Sequence, residues 1–217
     1  MKSFVFLGVG ILLLFSNCQS RNTSTETTKA KPNIIIINLD DLGYGDVGAY
    51  GATELKTPNF DLLANGGIRF TSGHSTSSTC TPSRFALITG VYPWRNSEAK
   101  ILPGTAPLII DPAQATIASV LKGAGYRTGV VGKWPLGLGN GHADWNKPIA
   151  PGPNQLGFDY AYIMAATQDR VPTVYIENGL VAGLDSDDPI EVSFAKNFDG
   201  EPTAPTHPVI LTMKWHH

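Results

Sequence analysis

The chain has 217 residues, of which 42% are hydrophobic and 16% charged, and its formal net charge is −2. This length allows one or two domains with a real hydrophobic core. The mixed and nearly balanced charges argue against a nucleic-acid partner, which attracts strongly basic proteins, and we expect none.

Residues 1–17 have the pattern of a secretory signal peptide. A positively charged start precedes an apolar run, Phe4 to Phe15, that is too short to span a bilayer. The segment from Leu14 to Cys18 resembles a bacterial lipobox, in which the cysteine after the cleavage site is lipidated. Asn17 departs from the usual Ala or Gly, which leaves ordinary signal cleavage open. Both interpretations predict export, to the periplasm or as a lipoprotein that contacts the outer membrane only through a lipid anchor on Cys18.

The folded domain is expected to comprise residues 32–217, after a polar, Ser/Thr-rich tether at 18–31. Its first segment, Pro32 to Leu39, contains four consecutive isoleucines, and apolar residues on both faces predict a central parallel strand. Asp40 and Asp41 follow directly. Because paired carboxylates at the carboxyl end of a strand repel unless a hard cation neutralises them, they indicate a metal site. A solvated turn or a helix cap is the alternative.

Cys80 lies in a stretch that combines a reactive position with anion-binding groups. Thr81 is expected to cap a helix in which Pro82 is the first residue, which places Cys80 just outside the helix N-terminus. Unpaired N–H groups at that end attract an anion, and Arg84 adds a planar cation. A disulfide with Cys18 is the alternative, and lipidation gives Cys18 a better explanation.

Apolar periodicity and the positions of Gly and Pro predict the remaining elements. They are a helix that begins at Thr57-Pro58 and stops at Gly66-Gly67, a short strand at Ile68–Thr71, a helix at Thr116–Ala124, a core strand at Tyr126–Gly132, and a hairpin of Val174–Glu177 and Leu180–Val181 around Asn178-Gly179. Alternating strands and helices favour a parallel sheet. Lys133 then follows the core strand at the same sheet edge as the aspartates and could contact the same anion. An ordinary surface lysine is the alternative.

Three blocks of the sequence resemble the signatures of the type I sulfatases, a family of the alkaline phosphatase superfamily. They are Cys80-Thr81-Pro82-Ser83-Arg84 with Thr89-Gly90, Gly125 to Gly137, and Pro32 to Asp46. The resemblance implies an α/β, alkaline-phosphatase-like fold with a central, mostly parallel sheet flanked by helices. It also implies a sulfuric ester hydrolase that cleaves a sulfated carbohydrate or an aryl sulfate.

The resemblance further implies a role for each matching residue. In the family, a maturase that recognises C-x-P-x-R oxidises the signature cysteine, here Cys80, to Cα-formylglycine, whose hydrate attacks the sulfur of the ester. Asp40 and Asp41 would bind Ca²⁺, which also contacts the modified Cys80. Arg84 would hold the modified residue, and Lys133 would contact the sulfate.

The sequence departs from the family pattern in one signature residue. Pro135 stands where the second signature usually has a His that binds the sulfate or protonates the leaving oxygen. His142, His216 and His217 are the candidates by residue type for that role, although spacing does not place them.

The second departure is length, because family catalytic domains are longer and carry further metal ligands and an active-site Lys downstream. We therefore expect this chain to be the amino-terminal portion of a sulfatase, truncated and with little turnover alone. Two alternatives remain open at this point. One is a phosphonate or phosphate monoester hydrolase of the same superfamily, and the other is an inactive exported lipoprotein that binds sulfated glycans.

Overall fold

The computed structural model of the protein describes residues 30–167, 171–192 and 213–214. The predicted signal peptide, most of the predicted tether with Cys18, and the histidines at 216 and 217 lie outside these residues. The chain divides into two units, Met1–Leu39 and Asp40–His217, and each is described by itself.

The isoleucine run of the first unit does not form the predicted strand. The backbone from 30 to 39 has no regular secondary structure, and the Ile35 side chain is 82% exposed. A strand is stabilised by hydrogen bonds to a neighbouring strand, and this run has no such partner among the described residues. The prediction of a central strand at Pro32 to Leu39 is therefore wrong for this structure.

The described part of the second unit contains three α-helices close to their predicted positions. They are α1 (Pro58–Gly66), α2 (Cys80–Thr89) and α3 (Ile117–Gly123). Gly90 ends α2 in the left-handed conformation, with φ of 69°, as a helix C-terminus favours. Thr116 caps α3, because its hydroxyl accepts a hydrogen bond from the Ser119 N–H at 3.0 Å and the Ser119 hydroxyl accepts one from the Thr116 N–H. Short 3₁₀ turns lie at Tyr44–Asp46, Gly48–Tyr50, Pro93–Arg95 and Pro153–Leu156.

Four strands form a mixed sheet in the order β1-β2-β3-β4. They are β1 (Gly129–Lys133), β2 (Tyr160–Met164), β3 (Tyr175–Glu177) and β4 (Leu180–Val181). β1 and β2 are parallel, with Lys133 opposite Met164, and the other two pairings are antiparallel. The predicted hairpin between β3 and β4 is confirmed: Asn178 and Gly179 both have positive φ, 49° and 89°, as a type I′ turn requires.

Two strand predictions differ from the structure. β2 forms where the sequence patterns predict no strand, and the strand predicted at Ile68–Thr71 does not form. Ile68 is 83% exposed, so its apolar side chain gains no burial from a strand. A small second sheet pairs β5 (Glu191–Val192) with β6 (Met213–Lys214).

The hydrophobic core joins α2, α3 and the sheet and fixes the carboxyl end of β1. Phe85 of α2, Ala118 of α3 and Ile163 of β2 belong to one buried cluster. Trp134, the residue after β1, is 2% exposed and packs edge-to-face on Phe158, with ring centroids 6.2 Å apart. Lys133 therefore projects from a rigid point of the fold. No helix of the described residues is long and apolar enough to cross a membrane.

Candidate active site

Cys80 is the first residue of α2, which starts two residues earlier than the sequence predicts. Thr79, not Thr81, is the N-cap, and its carbonyl accepts a hydrogen bond from the Ser83 N–H at 3.2 Å. Pro82 is the third helical residue, where its missing N–H costs nothing because the first-turn N–H groups have no partner within the helix. The prediction that Cys80 lies just outside the helix is therefore corrected: it lies in the first turn.

The structure brings four predicted site residues together from three parts of the chain. The Lys133 Nζ atom donates to the Cys80 Sγ atom at 3.1 Å and to an Asp40 carboxylate oxygen at 2.5 Å. The other Asp40 oxygen lies 3.6 Å from the Arg84 guanidinium. Arg84 also donates to the Lys133 carbonyl oxygen at 3.2 Å. One carboxylate is thus shared by two cations, directly beside the thiol.

The charges of this cluster support one another. The hydrogen bond from Lys133 and the Arg84 charge outweigh partial burial and lower the pKa of the Asp40 carboxyl below its usual value. Burial opposes the charge of Lys133, but its hydrogen bonds to Asp40 and Cys80 outweigh burial and raise the pKa of the ammonium. Lys133 and Asp40 are therefore both charged at neutral pH. The site next to Cys80 presents two cations against one carboxylate, which suits an anionic ligand.

Asp41, the other predicted metal ligand, is exposed and has a left-handed backbone with φ of 55°. Carboxylate oxygens are the kind of ligand that Ca²⁺ prefers, but the ion takes about six to eight of them. The described residues contain no group of three or more His, Cys, Asp or Glu side chains that could hold a metal. The donor chemistry of Asp40 and Asp41 fits the ion, while the number of ligands in the described part of the chain falls short.

A pocket opens beside Cys80, with about 520 Å³ of empty space including the solvent at its mouth. Residues 101–104, Pro135 and residues 165–167 line it together with the start of α2. The enclosed part of it is only about 60 Å³, well below the roughly 300–1,000 Å³ of small-molecule sites, so the described residues do not by themselves enclose a whole substrate. The Thr167 hydroxyl on its wall is buried and has no hydrogen-bond partner among the described residues.

Sequence reasoning missed how the first turn of α2 contacts the segment that carries Pro135. The Thr81 hydroxyl donates to the Pro135 carbonyl oxygen at 2.7 Å, and Thr81 is 1% exposed. No local pattern signals this contact, because the two residues are 54 positions apart. His142, a candidate for the role of the missing histidine, has positive φ and is not among the described residues that line the pocket.

Most of the chain matches one known protein family. A sequence profile described as Sulfatase matches residues 32–217, most of the chain. The chain belongs to the sulfatase family. Its membership confirms the resemblance of the three sequence blocks, and with it the α/β fold class.

Named relatives match half or more of this sulfatase chain. It is 49% identical over 206 residues to an N-acetylgalactosamine-6-O-sulfatase of Bacteroides thetaiotaomicron, a match that covers 94% of this chain and 40% of that protein. Arylsulfatase A of Homo sapiens is 47% identical over 116 residues, which are 50% of this chain and 22% of that protein. The chain thus spans less than half the length of both relatives.

A solved structure gives the same result for the fold. The structure, from work on the metabolism of multiple glycosaminoglycans by Bacteroides thetaiotaomicron, superposes with a TM-score of 0.74 at 45% identity. The match covers 81% of this chain and 41% of that one. The mixed sheet and its flanking helices are therefore part of a larger sulfatase fold in that protein.

Proposed function

We propose that this chain carries the nucleophile side of a sulfatase active site, which hydrolyses sulfate monoesters to an alcohol and inorganic sulfate. The observation that supports this most directly is the contact of Cys80 with Lys133, 3.1 Å apart, in a cluster that also holds Arg84 and Asp40. Sulfatase membership gives these residues their chemical context.

The cations of the cluster bind and orient the sulfate. Lys133 remains protonated and lies within hydrogen-bond reach of the reacting position, so it donates to a sulfate oxygen as negative charge builds up there. Arg84 holds Asp40 and the Lys133 carbonyl at once and so fixes the spacing between α2 and the end of β1. Fixed donors of this kind stabilise a transition state without reorganising during the reaction.

Two further groups complete the proposed chemistry. A formylglycine-generating maturase would oxidise Cys80 to the aldehyde, with an external oxidant taking up the two electrons and the sulfur leaving, and the hydrated aldehyde would supply the hydroxyl nucleophile that the thiol lacks. Asp40 and Asp41 would hold Ca²⁺, which supplies Lewis-acid stabilisation of the sulfate oxygens. Ca²⁺ would compete with Lys133 for Asp40, because the same carboxylate holds both cations.

The substrate class that we propose is a sulfated carbohydrate. A relative with 49% identity is named as an N-acetylgalactosamine-6-O-sulfatase, and a pocket open to solvent lies beside Cys80. The predicted leader would export the protein as a lipoprotein, which places it where extracellular glycans arrive. An aryl sulfate would serve as a simpler substrate of the same site.

Mass analysis of the Cys80 tryptic peptide after co-expression with a maturase tests the modification. We expect conversion of the thiol to the aldehyde, and a thiol that persists under these conditions contradicts the proposal. Turnover is then compared for 4-nitrophenyl sulfate, 4-nitrophenyl phosphate and N-acetylgalactosamine 6-sulfate in the complete polypeptide that carries this chain. Faster release from the phosphate would favour a phosphate monoester hydrolase, and Cys80→Ala provides the inactive control.

A further inference from the structure

Hydrogen bonds anchor the backbone that follows β1 at nearly every carbonyl. The Leu136 carbonyl accepts from the Ile109 N–H at 3.0 Å, and the Gly137 carbonyl accepts from the Trp134 indole at 3.1 Å. These two bonds come from the core side of the molecule. The Lys133 and Pro135 carbonyls instead accept from α2.

The α2 contacts connect the two halves of the candidate site. Thr81 lies in the first turn of α2 with Cys80, Arg84 lies at the start of the second turn, and their acceptors flank Trp134. The bond from Thr81 is the shorter of the two, 2.7 Å against 3.2 Å, and it is the more deeply buried. This hydrogen bond fixes the position of the first turn of α2, which carries Cys80, relative to the end of β1, which carries Lys133.

We propose that Thr81 is a positioning residue of this sulfatase: its hydroxyl, anchored on the Pro135 carbonyl, holds Cys80 within contact distance of Lys133. A side chain without the hydroxyl leaves the part-buried Pro135 carbonyl without this donor and releases the α2 turn from it. The turn would then remain tied to this segment through Arg84, whose bond is longer. The inference rests on the proposed function in one respect, the assignment of Cys80 and Lys133 to the sulfate site.

Thiol labelling of the unmodified protein tests this role without the need for turnover. The 217-residue chain is prepared without a maturase and labelled with iodoacetate, an anion, and with iodoacetamide, its neutral counterpart. Peptide mass spectrometry reads Cys80 separately from Cys18. The ratio of the two rates reports how closely cations approach the thiol, whereas a general loss of stability alters both rates together.

We expect Thr81→Val to lower the ratio about fivefold, the factor produced when a unit charge moves by about 1 Å from contact at an effective dielectric constant of about 20. Thr81→Ser keeps the hydroxyl and should keep the wild-type ratio. Thr116→Val is the matched control. Thr116 is 2% exposed and its hydroxyl donates to the Leu156 carbonyl at 2.6 Å, outside the site. This variant should lose stability with an unchanged ratio.

The outcomes separate the inference from the proposed function. A wild-type ratio above that of the denatured chain, together with an unchanged ratio in folded Thr81→Val, overturns the positioning role and leaves the proposed function in place. A wild-type ratio equal to that of the denatured chain would mean that no cation lies close to Cys80. This result would overturn both the positioning role and the proposed function. Should Thr81→Val not fold, Thr81→Ala takes its place, and failure of both variants while Thr116→Val folds would assign Thr81 to overall stability instead.

Discussion

Both ends of strand β1 carry charged side chains, but the balance of positive and negative charge differs between them. Before its first residue, Thr128 and Asp159 bind each other and Lys122 reaches the carboxylate at 2.7 Å. At its last residue, Lys133 and Arg84 share the single carboxylate of Asp40. The first end pairs one cation with one anion, while the second has a cation in excess.

The hydrogen bonding also differs between the two ends: it forms a closed network at the first end and an open cluster at the second. The Thr128 N–H donates to Asp159, its hydroxyl donates to the Gly157 carbonyl at 2.7 Å, and the Asp159 N–H bonds back to Thr128. This network is closed and holds the start of β1 to the start of β2. The cluster at the other end includes a thiol and opens into a pocket. A closed, neutral network indicates a structural role, and an open cluster with excess charge indicates a binding role.

Replacement of the lysine at each end of β1 by methionine should give the largest difference between the two ends. We expect Lys133→Met to lower turnover of a sulfate ester about 100- to 1,000-fold, the loss typical for removal of one donor aimed at a developing charge. Lys122→Met should leave turnover unchanged and lower the melting temperature. Both variants are assayed in the complete polypeptide that carries this chain, after mass analysis shows equal conversion of Cys80.

The same two variants can also contradict the assignment of a binding role to one end of β1 and a structural role to the other. Equal turnover losses at Lys133 and Lys122 would mean that both act through the stability of β1. Thermal melting in parallel with the assay distinguishes the cases, because an effect through stability follows the fraction of folded protein at the assay temperature.

The next expected effect is on stability at the first end of β1. Thr128→Val leaves the Gly157 carbonyl and part of the Asp159 hydrogen bonding without a partner, in a part-buried position beside the buried Thr128 side chain. We expect a loss of about 1–3 kcal/mol in the free energy of unfolding, measured by chemical denaturation. Thr128→Ser, which keeps the hydroxyl, should recover most of it. A loss in turnover of folded Thr128→Val would contradict the structural role of this end.

The sequence predicts the site better than it predicts the sheet. The local pattern around Cys80 predicts a helix there, and in the structure that helix starts two residues earlier than predicted, at Cys80 instead of Pro82. The placement of Lys133 at the carboxyl end of a strand follows from the apolar residues before it and from Gly132. What sequence reasoning does not reach is the Thr81–Pro135 hydrogen bond, because contacts between distant segments depend on packing that no local periodicity records.

The strand that is predicted but does not form, and the strand that forms but is not predicted, differ from expectation for separate physical reasons. The isoleucine run after Pro32 is strongly apolar, yet apolar composition makes a strand only where a partner strand accepts its hydrogen bonds. β2 is the opposite case, a strand that is not predicted. Ala161 and Ile163 are buried while Tyr160 is exposed, an alternation that indicates a strand. The surrounding Gly and Pro residues obscure this short alternation in the sequence.

The smallest expected effect is the pH dependence of the Asp159 contact. The hydrogen bond from Lys122, with further bonds from Thr128, lowers the pKa of the Asp159 carboxyl from 3.8 to about 2. Because the folded state binds this proton less tightly than the unfolded chain, the contact stabilises the fold fully above about pH 4 and is lost as the pH falls toward 2. Asp159→Asn should therefore be less stable than the wild type at pH 6, and the gap should narrow between pH 4 and 2. The half-exposed position of Lys122 also predicts a smaller gap at high salt. A gap that stays constant down to pH 2 would show that the Thr128 hydrogen bonds, rather than the charge, carry the stability of this end of β1.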